Sequence, residues 1–331
     1  MKNIISAGCL LILLWRNNTF KNRYKNKYLF LLIFNYFSFI KNVFLYYSKL
    51  SISYFQIDKK LFLSEIKLDL IKKYEHLKKH NRPSNDNDFG YYLAGLIEGD
   101  GYIGKRSIEI SFHIADISLA YYIKKRIGYG NVTKYTHTNN AIRYSVWNKE
   151  GIKVILNFVN GKFFTKYKID QIKKFKHTDK LELLPSIYER YPDDICKQKN
   201  WILSNSWLCG FTDADGSFTI HLSKSATHKL GYNLKLEYKI VQKYEEIILA
   251  LKKTFGGFSY YDSKGFVYRY RFASLKEQHI IIDYFDKFQL NSSKYIRYLK
   301  WRKCYRLYLE RQHLTLLGIQ KILNIMNSLR D

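Results

Sequence analysis

The sequence predicts an α+β fold of two pseudo-symmetric halves, each running α-β-β-α-β-β-α, behind a basic N-terminal extension. Two observations carry this reading. A string of residue types occurs twice, as Tyr92-Leu-Ala-Gly-Leu-Ile-Glu-Gly-Asp-Gly-Tyr-Ile103 and Trp207-Leu-Cys-Gly-Phe-Thr-Asp-Ala-Asp-Gly-Ser-Phe218. Both copies read aromatic, Leu, small, Gly, two mostly apolar positions, acid, small, Asp, Gly, and a comparable series of alternating and helical patterns follows each. Repetition at the length of a small domain marks a duplicated unit.

In the first half, Tyr102–Ile114, Asn131–His137 and Ile142–Trp147 read as strands. A helical pattern over Asp116–Ile127 stops at Gly128, and another runs from about Lys149 to Val159. In the second half Ser217–Ser223 and Asn233–Ile240 alternate polar and apolar residues, as half-buried strands do. A helix over Lys243–Phe255 is stopped by Gly256-Gly257. Strands Phe258–Asp262 and Val267–Ala273 follow, then a helix from about Leu275 to Phe288. Between the halves, 178–205 holds Pro185 and Pro192 and reads as a linker. Basic helical patterns over Ser293–Leu309 and Leu314–Leu329 close the chain. The expected organisation is an extension at 1–88, a first domain at 89–177, the linker, and a second domain at 206–331.

The extension has eight basic residues in its first 57 positions and no acid before Asp58. Its apolar runs, Ile4–Trp15 and Tyr28–Ile40, each fall short of the roughly 20 residues that span a bilayer. An accessory basic segment, a membrane-associated segment and a targeting peptide all stay open for it.

Charge narrows the function. The 56 Lys and Arg against 28 Asp and Glu leave +28, an excess that repels itself in a compact core and that a polyanionic partner would offset. A+T-rich coding also enriches Lys, Tyr and Phe, and accounts for part of the excess. The four cysteines form no C-x-x-C pair, which argues against a structural zinc site and a disulfide framework.

Each repeated string is a short apolar helix with small residues four apart, Gly95 and Gly99 in one and Gly210 and Ala214 in the other. Such residues share a face and let two helices approach closely. Asp100 and Asp215 sit where the helices should end, before Gly101 and Gly216, which suit a left-handed stop. A helix C-terminus disfavours a carboxylate, and two carboxylates about 5 Å apart repel by roughly 3 kcal/mol at an effective dielectric near 20. Packed side by side, these acids ask for a divalent cation, and an oxygen-rich site suits Mg2+. Metal held there could bridge a scissile phosphate and activate water. On the strands, Lys235 and Lys239, Arg269 and Arg271, and in the first half Lys105, Arg106, Lys134 and Arg143, are candidate DNA contacts. A β-ribbon can enter the major groove, where Arg and Lys read guanine.

These two strings resemble the motif that names the LAGLIDADG family, over residues from about 89 to 306. The resemblance implies α-β-β-α-β-β-α units paired at a pseudo-dyad, with antiparallel sheets forming a saddle over double-stranded DNA. It implies a monomer with an internal pseudo-dimer, cleavage leaving short 3′ overhangs, and no small-molecule substrate. Mg2+ would be held by Asp100 and Asp215, assisted by the carbonyls of Gly99 and Ala214; Glu98 is not a metal position. The family also places a lysine near each metal. Leu290-Asn-Ser-Ser-Lys294-Tyr resembles that stretch in the second half, and Asn160-Gly-Lys-Phe-Phe-Thr-Lys-Tyr-Lys168 in the first, where Lys168 and Lys166 compete. The implied function is a homing endonuclease encoded in a group I intron of a mitochondrial genome. The alternatives are an RNA maturase acting on the host intron and a non-catalytic DNA-binding relative.

Overall fold

A computed structural model describes residues 72–74, 79–136, 138–174, 182–227 and 230–329. The basic N-terminal segment and its three readings lie outside the described residues.

Helix α1 (Asp86–Asp100) begins at Asn85, whose side chain accepts from the Asp88 N–H, a standard use of Asn at this position. It runs straight into strand β1 (Gly101–Ile103), then β2 (Ile108–His113), α2 (Ile117–Ile127), β3 (Asn131–Lys134), β4 (Ala141–Val146) and α3 (Lys149–Val159). Short helices α4 (Lys166–Lys173), α5 (Ile187–Arg190) and α6 (Ile195–Ser204) lead to the second half. That half repeats the plan with α7 (Trp207–Asp215), β5 (Gly216–Lys224), β6 (Tyr232–Gln242), α8 (Glu245–Phe255), β7 (Phe258–Asp262), β8 (Val267–Phe272) and α9 (Gln278–Lys287). Helices α10 (Lys294–Leu309) and α11 (Leu316–Asn327) follow.

Each half holds one antiparallel sheet, ordered β1-β2-β4-β3 and β5-β6-β8-β7. The registers correspond: Gly101 faces Ile110, and Gly216 faces Ile240. The apolar residues of alternate strand positions, such as Ile110, Ile142 and Tyr144 or Leu236, Tyr238 and Ile240, are buried in a core shared with the helices. That core is continuous through α1 and α7. Among the described residues no helix is long and apolar enough to cross a membrane.

Three sequence expectations change. The single strand expected over Tyr102–Ile114 is a hairpin, because the chain reverses at 104–107, where the Gly104 N–H donates to Ser107 O. The stretch read as a plain linker carries two helices. Pro185 precedes the first of them, whose cap pairs Ser186 and Glu189 reciprocally. Finally, Gly101 and Gly216 are not left-handed: their φ values are −80° and −83°, in extended backbone. Glycine is needed there for space. A Cβ at Gly101 would lie 2.6 Å from the Ile97 carbonyl oxygen, and one at Gly216 would lie 2.4 Å from Thr212 Cγ2. A left-handed helix stop does occur at Gly128, with φ of +80°; Gly256 ends α8 at the same φ but with an extended ψ of −152°.

The segment ahead of α1 is fastened to both halves. Buried Tyr74 donates to Asp283 (2.7 Å), and the Tyr74 carbonyl accepts from Arg302 (2.9 Å). The Asn81 N–H donates to Gln289 (2.8 Å), while Arg126 and Tyr122 of the first half donate to Pro83 O.

Candidate active site

Helices α1 and α7 touch backbone to backbone. A Cβ on Gly95 would stand 2.0 Å from the Trp207 carbonyl oxygen, and one on Gly210 would stand 1.9 Å from the Tyr92 carbonyl oxygen. Tyr92 and Trp207 hold equivalent places in the two repeats, so the contact is reciprocal, as a dyad requires. One turn on, a Cβ at Gly99 would meet Ala214 Cβ at 2.3 Å and Asp215 Oδ2 at 2.8 Å. The small residues at i and i+4 are thus the surfaces through which the helices meet, and they bring the two helix ends together.

Asp100 and Asp215 are the last helical residues of α1 and α7. Asp100 keeps part of its surface in solvent at the rim while the protein around it covers the rest, and Asp215 is half-buried. Loss of hydration raises both carboxyl groups, and the charge of Asp100 helps carry Asp215 to about 6. Lys294 and Lys168 act against that rise on both. Gln242, at the end of β6, donates its amide to Asp215 Oδ2. The strand register places Phe112 where Gln242 stands, so only the second half supplies this donor.

Two lysines reach into the same place. The Lys168 ammonium donates to Gly101 O. The Lys294 ammonium donates to Ala214 O and to Thr212 O (3.2 Å). The two carbonyls that Lys294 meets belong to the last turn of α7, whose negative end suits a cation. Burial lowers the pKa of both lysines, and the acids around them oppose that drop, Glu98 foremost for Lys168 and Asp213 for Lys294, with Asp100 and Asp215 adding to both. Lys166 is exposed and makes no such approach, so of the two competing lysines the fold brings Lys168 to the acids.

The acid two positions earlier in each motif has another use. Buried Glu98 accepts from the Phe164 and Thr165 N–H groups (2.9 and 2.6 Å), from Thr165 Oγ1 (2.6 Å) and from Trp207 Nε1 (2.9 Å). Buried Asp213 accepts from the Asn291 and Ser292 N–H groups (2.7 and 3.3 Å), from Ser292 Oγ (2.5 Å) and from Tyr92 Oη (2.8 Å). Each carboxylate therefore holds the loop that carries a lysine to the centre, Lys168 in one half and Lys294 in the other. Each also takes one donor from the opposite motif helix.

Oxygen atoms dominate the centre: two carboxylates, with the Gly99 and Ala214 peptides beside them. Among the described residues no third His, Cys, Asp or Glu completes a metal cage. This donor set fits a hard cation that keeps several waters, as Mg2+ does, rather than zinc.

The strand cations expected to touch DNA divide into two kinds. Lys105 and Arg106 stand exposed in the β1–β2 turn, and Lys134 at the end of β3. The rest are tied to carboxylates. Arg143 pairs with Glu109 (3.0 Å), Arg269 with Asp262 (2.8 Å), and Lys235, Lys239 and Arg271 with Glu237. Sequence reasoning missed Gln242, the cross-helix role of Tyr92 and Trp207, and the loop residues on Glu98 and Asp213. The duplication itself held the signal for the last, since an acid recurs at both positions.

The family description "LAGLIDADG endonuclease" matches residues 208–305. The chain is 42% identical over 250 residues to an uncharacterised cox1 intron-2 protein of 37.2 kDa from Schizosaccharomyces pombe, spanning 75% of this chain and 74% of that one. It is 31% identical over 217 residues to the intron-encoded RNA maturase bI4 of Saccharomyces cerevisiae, covering 63% of this chain and 31% of the maturase. Of three further relatives it spans 44%, 34% and 48% of the length. The fold is that of I-SmaMI bound to an uncleaved DNA target in the presence of calcium ions. The TM-score is 0.56 at 20% identity, over 73% of this chain and 99% of that one. The motif helices, the paired sheets and these likenesses agree, and the chain belongs to the LAGLIDADG endonuclease family.

Proposed function

We propose that this chain is a site-specific double-stranded DNA endonuclease, encoded in a group I intron and acting in the mitochondrion. The observation that carries the reading is the meeting of Asp100, Asp215, Lys168 and Lys294 at the joined ends of two reciprocally packed helices. One acid and one lysine come from each half, an arrangement suited to one reaction on each strand of a duplex. The two antiparallel sheets continue directly from the acids and would seat the DNA as a saddle, with the chain working as a monomer.

Asp100 and Asp215 would hold Mg2+, aided by the Gly99 and Ala214 carbonyls. The metal, when bound, would polarise the scissile phosphate and lower the pKa of water. Glu98 and Asp213 fix the loops that carry the lysines. Lys168 and Lys294 would place positive charge beside the phosphate, and Gln242 would orient what binds at Asp215. The test is a duplex joining the exons that flank the intron carrying this reading frame. Cutting in Mg2+, none in EDTA and none by Asp215→Asn is the expected result, and an uncut duplex overturns the reading.

A second activity, assistance of intron RNA splicing, is favoured by the identity to the RNA maturase. Splicing of the host intron RNA by the Asp215→Asn protein would separate that role from DNA cutting.

A further inference from the structure

The solvent face of the second sheet has a carboxylate at its centre. Glu237, in the middle of β6, has a side chain only 2% exposed, yet it lies on the polar side of the strand. The Lys235 ammonium reaches it at 2.7 Å and Lys239 at 2.6 Å, from positions two before and two after on the same strand. Arg271 approaches at 3.4 Å from β8 and His221 at 3.2 Å from β5. Burial alone would raise the Glu237 carboxyl, but Lys235, Lys239 and Arg271 outweigh it and hold the group at about 2. It is therefore ionised at any working pH.

Such a group is out of place on a surface that only attracts phosphate. It cancels one of the cations around it, and each lost cation weakens the electrostatic part of DNA binding. Nor does the fold require it. The first sheet has the same strand order and register; the equivalent position there is Ser107, in the β1–β2 turn, and the acid of that face stands two residues on, as Glu109 paired with Arg143. What Glu237 does is hold flexible cations in fixed directions. A side chain ordered before binding loses less freedom when it meets a base edge, and a wrong base then leaves its donors unpaired.

We infer that Glu237 is a specificity-determining residue, which positions Lys235, Lys239 and Arg271 to discriminate among DNA sequences at the cost of affinity for DNA in general. This rests on the reading that the sheet face binds DNA.

The test compares wild type, Glu237→Gln and Glu237→Asp on a randomised duplex library and on one scrambled duplex, in calcium, over a salt series. Glu237→Gln should bind the scrambled duplex roughly 3- to 10-fold more tightly at low salt, with a salt slope steeper by up to about 0.9. Its selected sequences should lose roughly tenfold preference at base pairs of one half-site and keep the other. Glu237→Asp keeps the charge, so its scrambled-duplex affinity should return to the wild-type value while its preference stays partly relaxed. Should Glu237→Gln not fold, the Glu237→Asp selection alone decides. A selected profile equal to wild type in the folded variants overturns the inference. Lys235→Ala and Arg271→Ala separate the two levels. If both bind library DNA as wild type does, the face is not the DNA surface and the underlying reading falls too. If both bind more weakly while Glu237→Gln selects the wild-type profile, only the role of Glu237 falls.

Discussion

Tyr92 donates its hydroxyl proton to Asp213 across the helix pair, and Trp207 returns the favour to Glu98 from the equivalent place in the other half. Each buried carboxylate thus ties three things together: its own helix, the loop bearing its own half's lysine, and the opposite helix.

Removing one of these donors should be felt in stability. Tyr92→Phe leaves Asp213 buried with one partner fewer, and a loss of about 1–3 kcal/mol is expected. Trp207→Phe should cost at least as much, because it also removes volume from a fully buried site. Thermal unfolding of both variants measures this, and melting curves that overlay wild type would show the cross-helix bonds to be idle.

The glycines at the helix crossing have no room to change. Gly95→Ala or Gly210→Ala sets a methyl about 2 Å from a backbone oxygen, so the helices must separate. Overpacking of this kind costs roughly 1–3 kcal/mol, occasionally more. Cutting should fall further than stability, because the acids move apart with the helices. Gly128→Ala is the control: it meets nothing within 4 Å and is strained only by its positive φ.

The two aspartates should separate binding from cutting. Asp100→Asn and Asp215→Asn should lower cleavage by orders of magnitude and leave DNA affinity equal or better, since a charge repelling phosphate is gone. The pH behaviour has a definite sign. The carboxyl of Asp215 is raised from 3.8 to about 6, so the metal-free folded state holds its proton more tightly than the unfolded chain. Its contribution makes the metal-free protein lose stability as pH rises through that window, by at most about 3 kcal/mol. Metal must displace that proton, so metal affinity should drop as pH falls below about 6. Calorimetric titration of metal at pH 5 and pH 7.5 checks this, and equal affinities would contradict it.

The lysines make a three-way comparison. Lys294→Ala and Lys168→Ala should slow single-turnover cutting by roughly 10²–10⁴-fold, while each changes the salt slope of binding by only about 0.9. Lys166→Ala, at an exposed position two residues from Lys168, should leave the rate near wild type. If Lys166→Ala were the slow enzyme and Lys168→Ala the fast one, the site would be wrongly assembled.

Two truncations test the segment ahead of α1. Deletion of residues 1–71 keeps every contact described for Tyr74, Asn81 and Pro83, and folding and cutting should persist. Deletion through Asn85 strands buried Arg302 without one acceptor, empties the site of Tyr74 and removes the α1 cap. The unfolding midpoint should fall by several degrees, an amount that two truncations with equal midpoints would rule out.

Much of the architecture was legible because it is local or repeated. The alternation in Leu234–Ile240, the Gly256-Gly257 stop and the doubled motif each state their structure within a few residues. The place of Asp100 and Asp215 at the ends of the paired helices was legible for the same reason, since two copies agree on their position. What was not legible depends on distant partners. Nothing near Gln242 announces that it will lie against Asp215, and nothing near Tyr74 announces Arg302, more than two hundred residues on. The roles of Gly101 and Gly216 were misjudged because a glycine after a helix usually marks a left-handed stop, whereas here the strand turns back over the helix end and excludes a Cβ.

That tight junction has a mechanical consequence. The last residue of each motif helix is followed at once by the first residue of a strand, with no loop between Asp100 and Gly101 or between Asp215 and Gly216. A sheet lying along DNA would therefore act as a ruler with the blade fixed to its end. The distance from the bases it measures to the bond it reaches is set by one peptide link, and drift in the surrounding loops cannot lengthen it.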